Sequence, residues 1–166
     1  MLDIRTILHP TDFSDSSDHA FRLACALARD YDARLVVVHV GRKPVLNPVE
    51  GLVPPEPERY RAKLTEQLRQ RRAEGLKVRT AHQLVFGGDP AAEIVEQAQQ
   101  TKSDLIVMGT HGRTGLGRLL MGSVAEQVVR KAPCPVLTVK IPQRKGLTGA
   151  ELVPAKADGG EAEAVK

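Results

Sequence analysis

A repeated change of hydrophobic period is the feature of this 166-residue chain that most limits its fold. Short apolar runs alternate with segments whose apolar residues recur at helical spacing. The predicted strands, in chain order, are Ile4–Leu8, Leu35–Val40, Val78–Phe86, Asp104–Met108 and Pro135–Val139. A helical segment lies in each gap between them, and parallel strands need such crossover connections. We therefore predict an α/β fold: an open, five-stranded parallel sheet with helices on both faces, of the Rossmann-like kind.

The predicted helices are recognised from apolar residues at helical spacing, from their charge pattern or from N-cap residues. In the first helix, the predicted buried face comprises Ala20, Leu23, Ala24, Leu27, Ala28 and Tyr31. The second runs from about Glu58 to Glu74, and its mixture of glutamates with arginines and lysines is typical of a solvated face. The third is predicted to begin with Asp89 as its N-cap and Pro90 as its first residue. The fourth follows Gly122.

Composition and cysteine content exclude several classes of protein. Aromatic residues make up 3% of the chain, which argues against a nucleic-acid surface built from stacked aromatics. The net charge of +4 is too small to indicate a nucleic-acid partner. Cys25 and Cys134 lie far apart without metal-ligand spacing, so neither a zinc site nor a disulfide framework is expected. No apolar run reaches the roughly 18 residues of a membrane helix, and the N-terminus is not basic. We expect a cytoplasmic protein with no membrane or nucleic-acid partner.

Two stretches of the chain show no hydrophobic period. The stretch Gly41–Pro57 carries five prolines and is predicted to form a long loop. Residues 141–166 are rich in Pro, Gly, Ala, Lys and Glu, which predicts a mobile, disordered tail. The chain therefore has one predicted domain, residues 1–140, followed by that tail.

The fold class predicts where a ligand would bind. In open parallel sheets, ligands bind beyond the carboxyl ends of the strands, where the winding direction reverses. With the strand order 3-2-1-4-5, which we predict, the segment after the first strand (residues 9–14) faces the segment after the fourth (residues 109–117). The alternative order 2-1-3-4-5 would place the Gly87-Gly88 turn in that crevice instead.

The segment after the fourth strand is rich in glycine. Glycines stand at positions 109, 112, 115, 117 and 122. They permit positive φ and close backbone approach, which suits an anion-binding nest of N–H groups. Gly122-Ser123 opens the next helix, and a helix N-terminus favours phosphate. Neither the P-loop nor the dinucleotide fingerprint matches this segment. The alternative is that the glycines form only a long connection and that Ser123 is an N-cap.

The spacing Gly109-x2-Gly112-x9-Gly122-Ser123 resembles a motif of the universal stress protein family, where it marks the ATP-binding branch. A second segment, Pro10–Ser14 (PTDFS), is similar to the end of that family's first strand. The likeness extends in order and length over the whole predicted domain. It implies that ATP is the cofactor, accompanied by Mg²⁺ on its phosphates, and that the protein has a regulatory role in stress responses.

The resemblance also implies which residues hold the nucleotide. Asp12 is expected at the nucleoside, the main chain of Val40 at the adenine edge, and the glycine motif around ribose and phosphates. The full set of expected contacts is Pro10, Thr11, Asp12, Val40, Met108, Gly109, His111, Gly112, Gly122, Ser123 and Val124. From the residues alone, Asp12 could instead cap the first helix or close an Asx-turn. No catalytic or metal-ligating residue is predicted, and His9, His39 and His82 are expected to pack or to face solvent.

Three functions remain open from the residues themselves. They are a nucleotide-binding regulator, which the resemblance favours, a slow ATP hydrolase or phosphotransferase, and a binder of another adenine nucleotide. A hydrolase needs a positioned base, and the motifs hold one carboxylate, Asp12. The resemblance further implies a homodimer formed through the last strand, Pro135–Val139. Pairing would satisfy the open edge of that strand, whereas in a monomer the tail could cover it.

Overall fold

Strands and helices alternate along the chain as the sequence predicts. The computed structural model describes residues 3–42, 57–71, 77–110 and 121–141. Its elements within these ranges are β1 (Thr6–Pro10), α1 (Asp15–Asp30), β2 (Arg34–Arg42), α2 (Pro57–Arg69), β3 (Thr80–Gly87), α3 (Pro90–Gln100), β4 (Leu105–Gly109), α4 (Ser123–Lys131) and β5 (Val136–Val139). His111, Gly112, most of the proline-rich loop and residues 142–166 of the predicted tail lie outside the described residues.

The sheet is parallel throughout, with the order β3-β2-β1-β4-β5. β1 is the central strand: Pro10 lies opposite Val38 of β2, and Leu8 lies opposite Ile106 of β4. The winding direction reverses between β1 and β4. This confirms the predicted α/β class and the order 3-2-1-4-5. The alternative order 2-1-3-4-5 is wrong.

The hydrophobic core forms two layers, one on each face of the sheet. Leu35 and Val37 of β2 belong to the layer covered by α1 and α2, which includes Leu68. Val36 and Val38 belong to the layer covered by α3 and α4. Because successive residues of β2 enter opposite layers, the segment Leu35–Val38 is apolar without interruption, as parallel strands covered on both faces are.

The buried face of α1 differs from the predicted one. The buried apolar positions are Ala20, Phe21, Ala24, Cys25 and Ala28. Leu23 and Tyr31, which the prediction included, are exposed. Tyr31 is the C-cap residue, so it no longer follows the helical register. The alanines belong to the predicted face and to the observed one. The observed face is buried because the Phe21 ring packs against the ring of His9, with 5.4 Å between the ring centroids.

Two strands extend further toward the carboxyl edge of the sheet than predicted. β1 ends at Pro10, and the next residue still donates its backbone N–H to the carbonyl of Val38 at 2.8 Å. β2 continues through Gly41 and Arg42, which the prediction placed in the loop. A Cβ on Gly41 would lie 2.9 Å from the ring of Phe86 on β3, so glycine is needed there for close packing.

The N-terminus of α3 has the predicted cap. The Asp89 carboxylate accepts a hydrogen bond from the Ala91 N–H at 3.0 Å, and Pro90 is the first helical residue. This confirms both predictions at that helix. Across the described part of the chain, no helix combines the length and the apolar content that crossing a bilayer requires.

Candidate functional site

A cavity of about 520 Å³ opens at the carboxyl edge of the sheet, where β1 and β4 diverge. The predicted contacts that line this cavity are Pro10, Thr11, Asp12, Val40, Met108, Gly109, Gly122, Ser123 and Val124. The structure therefore brings together every predicted contact that it describes. The other two, His111 and Gly112, lie outside the described residues.

Side-chain acceptors shape the segment between β1 and α1. Thr11 Oγ1 accepts from the Phe13 N–H at 3.2 Å. Asp12 Oδ1 accepts from the N–H of Ser14 at 3.1 Å and from its hydroxyl at 2.6 Å. Between them, Phe13 has φ of 64°, in the left-handed region that a bulky residue rarely adopts.

These bonds decide between the local roles that the sequence left open for Asp12. The carboxylate closes an Asx-turn onto Ser14, as one alternative held. It does not cap α1, because Ser14 is the N-cap and its hydroxyl accepts from the Ser17 N–H at 3.3 Å. The Asx-turn holds Asp12 at the cavity wall. Contact with a nucleoside stays a prediction.

The glycine at position 109 is required by packing within the protein. A Cβ there would lie 2.5 Å from the Ser16 hydroxyl oxygen and 3.0 Å from the Ser16 carbonyl oxygen. Gly122, at the other end of the motif, has φ of −75° and ψ of 155°, an extended conformation open to any residue. Neither of these two glycines uses the positive φ that glycine permits, and close approach of α1 to β4 explains the first.

Helix α4 begins at the cavity with a cap that has no side chain. Gly122 is its N-cap, and Ser123 is its first residue, so the alternative that Ser123 is the N-cap is wrong. Within the described residues, no side chain hydrogen-bonds to this N-terminus. The first bond along the helix runs from the Glu126 N–H to the Gly122 carbonyl at 2.9 Å. The N–H groups before it lie on residues 123–125, which line the cavity and carry the positive end of the helix dipole.

Comparison with known proteins decides the family. The model of the Universal stress protein family matches residues 3–140. This chain belongs to that family. Universal stress protein MJ0531 of Methanocaldococcus jannaschii is 42% identical over 147 residues, covering 85% of this chain and 85% of that protein. The resemblance inferred from the two motifs is thereby confirmed.

Solved structures of universal stress proteins share this fold. UspA from Lactobacillus plantarum has a TM-score of 0.69 and 26% identity, over 82% of this chain and 97% of that one. A universal stress protein in complex with cAMP has a TM-score of 0.64 and 29% identity, over 83% and 98%. The protein from Archaeoglobus fulgidus in complex with dAMP has a TM-score of 0.59 and 25% identity, over 84% and 100%.

Two buried histidines of this universal stress protein lie on β1 and β2, the strands that lead to the cavity. His9 is fully buried, and its Nδ1–H donates to the Val107 carbonyl at 2.8 Å. Burial lowers the pKa of His9 from 6.5 to about 4, with Arg71 adding to the decrease, while the bond to Val107 and the Asp12 charge oppose it. His39 donates from Nδ1–H to the Thr11 carbonyl at 2.7 Å. Both histidines pack, as expected.

Sequence reasoning missed part of the cavity wall. The lining residues that were not predicted include Gly41, Arg42, Tyr60, Pro90 and Ile94. Arg42 was missed because a glycine precedes it and prolines follow, which indicated a loop. Tyr60 was predicted only as a residue within the second helix. Its place in the first turn of a helix that follows a strand's carboxyl end is the signal that could have identified it.

Proposed function

We propose that this universal stress protein binds ATP and acts as a nucleotide-dependent regulator in stress responses. The observation that carries the proposal is the N-terminus of α4, which has a glycine N-cap and faces the cavity of about 520 Å³. This cavity lies where the winding direction of the sheet reverses. Its free N–H groups and its dipole suit phosphate oxygens. The Ser123 hydroxyl adds a donor at the same place.

The opposite part of the cavity suits a nucleoside. Val40 lies at the carboxyl end of β2, where its backbone is available to an adenine edge, and Asp12 supplies an acceptor for hydroxyl groups. Two relatives carry cAMP and dAMP in their solved structures, which supports an adenine nucleotide here. The triphosphate is favoured by the glycine motif, and another adenine nucleotide is the alternative. Among the described residues no group of His, Cys, Asp or Glu could hold a metal, so Mg²⁺ would depend on phosphate oxygens.

The residues that line the cavity favour nucleotide binding over nucleotide hydrolysis. Asp12 is the only acidic residue among the described residues that line the cavity, and its Oδ1 is engaged with Ser14. A hydrolase needs a group that orients or deprotonates water. Dedicated hydrolysis is therefore not part of the proposal.

The proposal is tested by calorimetry with ATP, GTP and cAMP on the full chain and on two matched glycine variants. In Gly122→Val, a branched side chain blocks phosphate at the helix N-terminus, while the extended backbone accommodates valine. ATP affinity should fall by at least about tenfold, the loss of one good charge-assisted contact. In the control Gly88→Val, the added Cβ meets nothing within 4 Å, and affinity should be unchanged. Equal binding of ATP by both variants would contradict the phosphate site, and equal binding of all three ligands by the parent would contradict adenine-triphosphate selectivity.

We also propose a homodimer that pairs β5 with its copy, in the cytoplasm. β5 is an edge strand of the sheet, and exposed apolar side chains lie on it at Leu137 and just after it at Ile141. Unpaired edges with apolar side chains favour strand pairing. Cys25 and Cys134 are free thiols, as is usual in a reducing compartment.

A further inference from the structure

Phe13 holds a backbone conformation that costs free energy, at the centre of the segment that presents Asp12. Its φ of 64° is uncommon for any residue with a Cβ and rarer still for a bulky one. Such conformations persist only where the surrounding structure holds them in place. The question is which groups hold Phe13.

Two planar side chains contact the Phe13 ring. The ring of His39 lies 4.3 Å away between centroids, and this histidine is itself bonded to the Thr11 carbonyl. The Arg71 guanidinium lies over the ring, with Cζ 5.4 Å from the centroid, a cation–π distance. The contact connects the segment after β1 to Arg71, which lies two residues beyond the end of α2 and 58 residues further along the chain than Phe13.

Arg71 is fixed in turn by two other elements. Its Nη2 lies 2.8 Å from Oδ1 of Asp18 on α1, and its side chain is only 22% exposed. Its backbone carbonyl accepts from the Nε2–H of His82 on β3 at 2.8 Å. Its Nε is buried without a hydrogen-bond partner among the described residues. The guanidinium is therefore held by its ion pair with Asp18 and by its contact with the Phe13 ring, and Nε adds no hydrogen bond within the described residues.

We propose that Arg71 is a positioning residue of the nucleotide site. It does not line the cavity. It holds the ring of Phe13, which fixes the left-handed turn, and the turn fixes the Asp12 carboxylate at the cavity wall. The link to nucleotide affinity rests on the proposed function. The link from Arg71 to the conformation of the turn does not.

The first test measures hydrogen exchange of single amides by NMR in the absence of nucleotide. The Phe13 and Ser14 N–H groups donate to Thr11 and Asp12, so they report directly on the turn. In Arg71→Met, these two amides should exchange at least about tenfold faster, while the Leu8 amide in the core strand keeps its rate. Arg71→Lys, which retains the charge but not the planar group, should give an intermediate rate.

The control variant is Arg59→Met, which removes an exposed arginine from α2, the helix that precedes Arg71 in the chain. It should leave both turn amides unchanged. Unchanged turn amides in Arg71→Met would overturn the proposal. An equal acceleration of Leu8 and the turn amides would overturn it as well, because Arg71 would then contribute only to global stability.

The second test is a double-mutant cycle on ATP affinity. Arg71→Met alone should weaken binding by about fivefold to tenfold, and it should add almost nothing in an Asp12→Ala background, because residues that act through one another are not additive. Full additivity would show that Arg71 does not act through Asp12 and would overturn the proposal. If the parent protein binds no ATP, the proposed function fails, while the exchange measurement still decides the role of Arg71 in the turn.

Discussion

His9 shows how one residue in the central strand couples the fold to pH. Its ring is fully buried, one nitrogen is bonded to Val107, and the other, Nε2, has no hydrogen-bond partner among the described residues. A second proton would place an unpaired charge inside the core. The neutral ring is therefore strongly favoured in the folded protein, and this is the physical cause of the pKa of about 4 for His9.

We expect stability to fall in mild acid because of His9. The folded-state pKa of about 4 lies below the unfolded value of 6.5, so the unfolded chain binds more protons between these values. The contribution is complete above pH 6.5 and is lost as pH falls toward 4. From pH 7 to pH 5, the free energy of unfolding should fall by about 2 kcal/mol because of His9. Urea titrations should show a steeper loss for the parent protein than for His9→Gln, and parallel losses would contradict this assignment.

At the residue scale, the sequence predicted which residues line the cavity better than it predicted their local interactions. Asp12 and Gly109 were predicted at the cavity and line it. The Asx-turn at Asp12 was one of several open alternatives. The role of Gly109 in admitting Ser16 was not predictable, because it depends on how closely α1 approaches β4. A contact between elements distant in the chain leaves no local signal in the sequence.

At the scale of elements, α4 lacks a stabilising side-chain cap at its N-terminus. Ser, Thr, Asp and Asn are the favoured N-cap residues, and Gly122 supplies no side-chain acceptor. The other helices with a described N-cap, α1 and α3, use Ser14 and Asp89. A side-chain cap on α4 would occupy the N–H groups that the proposed function assigns to phosphate. The helix at the cavity is therefore expected to gain stability and lose affinity from the same substitution.

The variant Gly122→Asp tests this exchange of stability for binding. The backbone already has an N-cap conformation, so a carboxylate can cap the helix and complement its dipole. The free energy of unfolding without nucleotide should rise by about 0.5–1 kcal/mol. ATP affinity should fall by more than about tenfold, because the carboxylate repels phosphate and takes its donors. Gly122→Asn is the control that caps without charge and should weaken ATP less. A Gly122→Asp protein that binds ATP as the parent does would refute the phosphate position.

The order and type of the elements were predictable because the hydrophobic period changes at each of them, whereas their ends and faces were less so. β2 was predicted to end at Val40, since a glycine follows, but its pairing with β3 continues through Gly41 and Arg42. On α1, the alanines fit two neighbouring faces, and tertiary contact of Phe21 decides between them. In both cases the partner strand or sheet supplies information that the local pattern lacks.

At the scale of the whole molecule, the two edges of the sheet differ. β3 is packed beside α2, whose aromatic Tyr60 lies 6.4 Å from Phe86 between ring centroids. β5 carries the exposed Leu137. The carbonyl of Pro135 accepts from Ile106 of β4, and that of Val139 accepts from Thr110, the residue after β4. The alternate residues of β5, including Thr138, therefore direct their backbone groups away from the sheet. A second copy of the chain could pair with those groups.

The variant Thr138→Pro should convert the proposed dimer into a monomer. Proline removes one outward N–H from the edge strand and leaves the bonds to β4 in place, so the fold and ATP affinity should be retained. Thr138→Val is the matched control, because it keeps the N–H and the branched shape. Light scattering should give twice the mass of one chain for the parent and for Thr138→Val, and one chain mass for Thr138→Pro. A parent protein that is already monomeric would contradict the dimer and favour the alternative in which residues 141–166 cover this edge, whereas a dimeric Thr138→Pro would locate the interface elsewhere.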